Sequence, residues 1–216
     1  MTTEPKTHHR RLAATGLAAV TTSILIGLLL RDVVPPADAW IIDHWYAAPD
    51  SLITTIATAT SGVGTLLALA AVPAAAITLL IRRRAQGKPH LSLLARGLLL
   101  IPICGSVLAI QQLVMRPGPP MQPEASTYPS GHATIATAAL FTAAVLFWLA
   151  DPRWGRLAAS TGAVAVLAVS ASRVVLAEHW LLDVAGAITA TAGIGLLAIA
   201  VLRIVPWWQP ATAPVS

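Results

Sequence analysis

Six uncharged apolar runs, at 12–30, 62–81, 97–114, 133–150, 157–172 and 184–202, punctuate this chain and leave little room for any other architecture. Each comes close to the roughly 20 residues a helix needs to cross the hydrocarbon of a bilayer. The fifth is short, but it continues through Arg173 into Val174-Val175-Leu176-Ala177 and so reaches spanning length. The third starts near Leu91, which leaves Arg96 within snorkelling reach of an interface. No run alternates with period two, so a closed β-barrel is excluded. The sequence predicts an all-α protein, a six-transmembrane-helix bundle. Composition agrees: 56% of the residues are hydrophobic and 11% charged, too little polar surface for a soluble domain of 216 residues.

The net charge of +5 does not point to nucleic acid, because the basic residues sit in short clusters between the apolar runs. With six spans, one face receives Lys6, Arg10, Arg11, Arg82, Arg83, Arg84, Lys88, Arg153, Arg156 and Arg203. The opposite face receives only Arg31, Arg116 and Arg173. This asymmetry predicts cytoplasmic termini and an extracytoplasmic position for 31–61, 115–132 and 173–183. The first run is read as an uncleaved anchor: it is longer than a signal-peptide core, and Arg-Asp-Val-Val-Pro-Pro separates it from Ala37-Asp38-Ala39. The layout is a tail at 1–11, a membrane domain at 12–206 and a tail at 207–216. Residues 39–56, AWIIDHWYAAPDSLITTI, read as an interfacial amphipathic segment, and PWWQPATAPVS as an interface belt followed by loose residues. Cys104, the single cysteine, reads as a small buried hydrophobe.

Three polar segments converge on the predicted outer face: QQLVMRPGPP after the third span, TYPSGHAT before the fourth, and SRVVLAEHWLLD between the fifth and sixth. Arg116 and Arg173 carry planar, permanently charged forks suited to phosphate oxygens. Ser130-Gly131-His132 opens a helix, where free backbone N–H groups favour an anion. His179 and Asp183 are four apart, a spacing that puts them on one helical face with the carboxylate holding the imidazole. Plainer readings exist for each piece alone. Ser130 can be a helix cap, Asp183 a helix-terminal acid, and Arg173 a structural partner of Glu178 or Asp183.

Taken together, Arg116-Pro117, Pro129-Ser130-Gly131-His132, and Ser172-Arg173 with His179 and Asp183 resemble the signature of the type 2 phosphatidic acid phosphatase (PAP2) family. That family's superfamily also includes lipid phosphate phosphatases and vanadium haloperoxidases. The resemblance covers roughly 91–202 and extends through His179-Trp180-Leu181-Leu182-Asp183-Val184. It implies His179 as the nucleophile that forms a phosphohistidine, Asp183 as its orienting carboxylate and His132 as acid and then base. It further implies Arg116, Arg173, Ser130 and the Gly131 amide as phosphate ligands, with no metal and no cofactor. The implied substrate is a membrane-embedded lipid phosphate or diphosphate, with undecaprenyl diphosphate first, then phosphatidic acid and phosphatidylglycerol phosphate. The resemblance places such an enzyme in the plasma membrane with its site outside.

The chain departs from the pattern at two places. Ala109 stands where the family's first motif has lysine, and Gly118 where an arginine often follows Arg-Pro. Gln112, one turn before Arg116, is the candidate auxiliary donor. The missing lysine keeps open a second reading, a weakly catalytic or non-catalytic protein that binds lipid phosphates. The expected partners are the bilayer and a lipid phosphate, not nucleic acid, and the sequence carries no signal for an oligomeric state.

Overall fold

The computed structural model describes residues 4–124 and 126–204; the aromatic tail at 206–216 lies outside them. Ten helical segments run in order: α1 (Glu4–Leu29), α2 (Pro36–Trp45), α3 (Leu52–Ala85), α4 (Leu91–Leu98), α5 (Leu100–Gly105), a 3₁₀ turn (Ser106–Ala109), α6 (Ile110–Val114), α7 (Gly131–Ala150), α8 (Pro152–Val175) and α9 (Leu181–Val201). Six stretches are long and apolar enough to cross a membrane: Thr7–Leu29, Leu52–Ala85, Leu91–Val114, Gly131–Ala150, Pro152–Val175 and Leu181–Val201. Each contains or matches one apolar run. The helices start earlier than the runs, most of all α1 at Glu4 and α3 at Leu52. A helix does not stop where hydrocarbon stops. Ser51 starts α3 by accepting the Thr54 N–H at 3.1 Å.

Local chemistry explains the ends. Arg82, Arg83 and Arg84 fill the last turn of α3, where the helix dipole favours cations. Asp151 caps α8 ahead of Pro152 and accepts the Arg153 N–H at 2.9 Å. Arg82 reaches Asp151 at 2.8 Å, joining the end of α3 to the α7–α8 turn. The third span changes pitch near Pro102, which donates no backbone hydrogen bond, and ends at Met115, whose left-handed backbone (φ 52) sends the chain inward.

Packing relies on small residues, as helices in lipid do. Ala68, Val72 and Ala75 of α3 meet Ala136, Ala139 and Ala143 of α7, with Val166 and Val169 of α8 beside them. α1 crosses α9 so closely that a Cβ at Gly16 would lie 2.5 Å from the Gly193 carbonyl oxygen. Higher up, the ring of Tyr128 is wedged between these two helices, and a Cβ at Gly27 or Gly186 would lie 2.4 or 2.3 Å from it. The Tyr128 hydroxyl donates to the Ser23 carbonyl at 2.6 Å, and burial pushes its pKa up, so it stays a donor. That wedge fixes the residues on either side of it, Thr127 and Pro129-Ser130.

The segment around α2 is exposed on one side and buried on the other. Trp40, Trp45 and Tyr46 are exposed, but Asp38 and Ile42 are buried, and the Ala47 N–H donates to the Val175 carbonyl at 3.0 Å. Along α3, the rise from Ser61, at the polar end of the bundle, to Arg82 is roughly 30 Å, one hydrocarbon thickness.

Candidate active site

The segment between α6 and α7 is a closed excursion. The Thr127 N–H donates to the Arg116 carbonyl at 3.0 Å, and Pro117 pairs with Ser126 in an antiparallel bridge. Gly118 belongs to its tight turn, since a Cβ there would lie 2.2 Å from the Gln122 carbonyl oxygen. An arginine at this position is incompatible with the turn. Gln111 secures the exit by donating to the Pro129 carbonyl at 2.8 Å and accepting from Ser126 Oγ through its own carbonyl at 2.8 Å. Gln112, the expected auxiliary donor, is instead exposed. Ala109 is likewise exposed, in the 3₁₀ turn.

Ser130 is the extended residue ahead of α7. Its N–H donates to the Asp183 carbonyl at 3.1 Å, its side chain makes no capping bond, and its Oγ is fully buried without a partner. The first N–H groups of α7 therefore lack a side-chain acceptor, the condition in which a helix start takes an anion. A Cβ at Gly131 would meet only Leu108, at 4.0 Å, so the backbone there is approachable. His132, on the first turn, is half-buried and lies within the electrostatic reach of Arg173 and His179. The two histidines and Arg173 are thus gathered at one end of the bundle.

His179 is not on a helix. α8 ends at Val175, Ala177 reverses the chain in a left-handed conformation (φ 50), and α9 starts only at Leu181. The expected one-turn pairing with Asp183 is therefore corrected. The two side chains do approach, with Nδ1 and Oδ2 3.7 Å apart, but the hydrogen-bond partner of Nδ1 is the Thr127 carbonyl at 3.1 Å. Asp183, one turn into α9, reaches back to accept the Trp180 N–H at 3.0 Å.

Arg116 also differs from expectation. It is 1% exposed and donates through Nη1 to Asp183 at 2.7 Å and through Nη2 to Asp38 at 2.9 Å. Its guanidinium lies over the Trp180 ring, whose N–H donates to the Pro117 carbonyl at 3.0 Å. The fork that the motif implies for phosphate engages two carboxylates here. Arg173 is freer. Nη1 donates to Ser61 Oγ at 3.1 Å, Nη2 pairs with Glu178, and Nε is buried without a partner.

Two participants escaped the sequence reading. Asp38 entered it only within Ala37-Asp38-Ala39, and Ser61 not at all. Neither sits in a motif, and each becomes visible only when α2 and α3 are packed against the site. Among the described residues no cluster of three or more His, Cys, Asp or Glu is placed to hold a metal ion.

Residues 109–209 match the family model of the PAP2 superfamily. No curated protein matches the chain. Among solved structures, a transmembrane PAP2 type phosphatidylglycerolphosphate phosphatase from Bacillus subtilis has the same fold, with a TM-score of 0.70 over 90% of this chain and 99% of that one, at 15% identity. The chain is a multi-span membrane protein whose motif-bearing residues 109–209 match the PAP2 superfamily model and whose fold is that of a transmembrane PAP2 structure.

Proposed function

We propose that the protein is a membrane-embedded phosphatase of lipid phosphates or diphosphates that works through a phosphohistidine on His179. The observation that carries this reading is the contact between His179 Nδ1 and the Thr127 carbonyl oxygen at 3.1 Å. A carbonyl oxygen only accepts, so the contact with Thr127 puts the hydrogen on Nδ1 and leaves the Nε2 lone pair free to attack. Nε2 forms a bond to phosphorus while the bond from phosphorus to the leaving oxygen breaks, and His132 protonates that oxygen. His132 then takes a proton from water, whose oxygen attacks phosphorus and releases phosphate from Nε2. Arg173 Nε, Ser130 Oγ and the amides at the start of α7 stabilise the equatorial oxygens. Arg116 stands behind them and holds Asp183.

Orientation follows from charge. The basic ends of α3 and α8 face the cytoplasm and the site faces outward, within reach of lipid head groups. The Bacillus subtilis neighbour acts on phosphatidylglycerolphosphate. Phosphatidylglycerol phosphate is therefore tested beside undecaprenyl diphosphate and phosphatidic acid, the other two expected lipids. A second reading, lipid-phosphate binding with little turnover, draws on Ala109 and on the commitment of Arg116 to two carboxylates.

The test is phosphate release from these three lipids in detergent with EDTA present, comparing wild type with His179→Ala. Metal-independent release lost in the variant, with acid-labile phosphate trapped on wild-type protein, is the expected result. Release that needs added divalent metal, or that survives His179→Ala, overturns the mechanism; binding without release supports the second reading.

A further inference from the structure

Asp38 lies on α2, a ten-residue helix between the first two spans, and is 1% exposed. Both carboxylate oxygens are engaged. Oδ2 accepts from Arg116 Nη2 at 2.9 Å, and Oδ1 accepts the N–H of Leu182, in the first turn of α9, at 3.2 Å. One side chain thus joins α2, the segment after α6, and the helix that carries Asp183. α2 is held against the same place by other means, for Ile42 packs with Ala177 and Trp180 on the turn that carries His179.

The charge count makes Asp38 unusual. Arg116 and Asp183 already form a neutral buried pair at 2.7 Å. Adding Asp38 leaves the triad with a net negative charge in a site shielded from water, which is costly and which pairing does not require. An acid used only as a tether for α2 needs no charge, because a neutral amide would serve the Leu182 N–H. Asp38 engages one arm of Arg116 and Asp183 the other, and Asp183 in turn stands 3.7 Å from His179 Nδ1.

We propose that Asp38 is a positioning residue of the site: by taking one arm of Arg116, it leaves the charge of Asp183 available to His179. A histidine phosphorylated on Nε2 with hydrogen on Nδ1 carries positive character. With Asp38 present, the local field favours that state. With Asp38 neutral, Arg116 bears fully on Asp183 and withdraws its charge from His179. Phosphate binding through Arg173, Ser130 and α7 is untouched. The effect belongs to kcat rather than KM. This inference rests on the phosphatase reading above.

The experiment compares wild type, Asp38→Asn and Asp38→Glu on phosphatidic acid in detergent with EDTA, together with Asp183→Asn and the Asp38→Asn/Asp183→Asn double variant. Thermal melting of each protein is measured alongside. Asp38→Asn leaves the Arg116–Asp183 pair neutral, so it should fold. The expected result is kcat lower by about tenfold or more with KM within twofold, partial recovery in Asp38→Glu, and a double variant no slower than Asp183→Asn alone. Wild-type kinetics in Asp38→Asn, a rise in KM alone, or losses that multiply in the double variant would overturn the inference and leave the phosphatase reading intact. Should Asp38→Asn fail to fold, Asp38→Glu decides alone: lowered kcat at constant KM supports the role, and any other pattern overturns it. A wild type that releases no phosphate from any of the three lipids overturns both readings.

Discussion

The imidazole of His179 is held by the backbone of Thr127, whose carbonyl oxygen lies 3.1 Å from Nδ1. Asp183, the residue that the motif pairs with this histidine, is farther from it at 3.7 Å and spends its hydrogen-bonding capacity on Arg116 and the Trp180 N–H. Two tasks usually given to one carboxylate are therefore divided. In the proposed mechanism the loop carbonyl sets the tautomer and the aspartate supplies charge. The wedge of Tyr128 between α1 and α9 keeps the carbonyl in place, which connects the membrane core directly to the chemistry.

This division bears first on His132. If it protonates the leaving oxygen, its value depends on how badly that oxygen needs a proton. His132→Ala is expected to slow hydrolysis of phosphatidic acid, whose leaving group is an alkoxide, by about 10²–10⁴-fold. A lipid diphosphate, which leaves a stabilised phosphate, should lose far less. The ratio of the two kcat values is the measurement, and equal losses would remove His132 from the acid role.

The motifs carried the position of the site but not its wiring. Six spans were legible because hydrocarbon imposes a length and a composition on any helix that crosses it. Pro129-Ser130-Gly131-His132 and the Arg173–Asp183 segment were legible because they resemble a family signature with fixed residue types at fixed spacing. The contact between Thr127 and His179 was not, since any residue has a carbonyl oxygen. Asp38 was hidden for another reason: a helix with tryptophans on one side reads as interfacial, and sequence alone does not tell which of its acids turns inward. Gly118, read as a missing arginine, is instead required by the turn that places Arg116.

Ser61 accepts from Arg173 Nη1 at 3.1 Å, from a helix that carries no motif. Ser61→Ala would leave that arm of the guanidinium unheld while Glu178 keeps the other. A hydrogen bond to a charged group contributes about 1.5–3 kcal/mol, and part of this is recovered when substrate replaces it. KM for phosphatidic acid should rise about three- to tenfold with a smaller change in kcat, a split that steady-state kinetics reads directly.

Gly186 tests the connection between the core and the loop. A methyl group there would lie 2.3 Å from the Tyr128 hydroxyl oxygen, so Gly186→Ala must displace the ring. Overpacking of this kind costs about 1–3 kcal/mol, and here the displaced residue is next to Thr127 and two before Ser130. The variant should melt lower in detergent and lose activity more than its stability loss explains. Pairing it with Tyr128→Phe, which removes the nearest atom, should restore part of both.

Asp183 separates the two tasks most sharply. Where a triad aspartate sets the tautomer of its histidine, replacing it with asparagine costs about 10⁴-fold in kcat because the ring takes the wrong tautomer. Here Thr127 keeps the hydrogen on Nδ1 whatever stands at 183. Asp183→Asn should therefore lose only the charge, about 10²-fold in kcat, and it should fold, because Asp38 still pairs with Arg116 and an amide oxygen can still accept the Trp180 N–H. Asp183→Ala is a different experiment. It leaves the Trp180 N–H and one arm of a buried guanidinium without acceptors, a defect that typically costs about 3–5 kcal/mol. Its melting temperature should fall well below that of the asparagine variant. Kinetics and melting curves of the two proteins decide the matter together. A 10⁴-fold loss in Asp183→Asn with an unchanged melting temperature would mean that the aspartate, not the loop carbonyl, holds the ring.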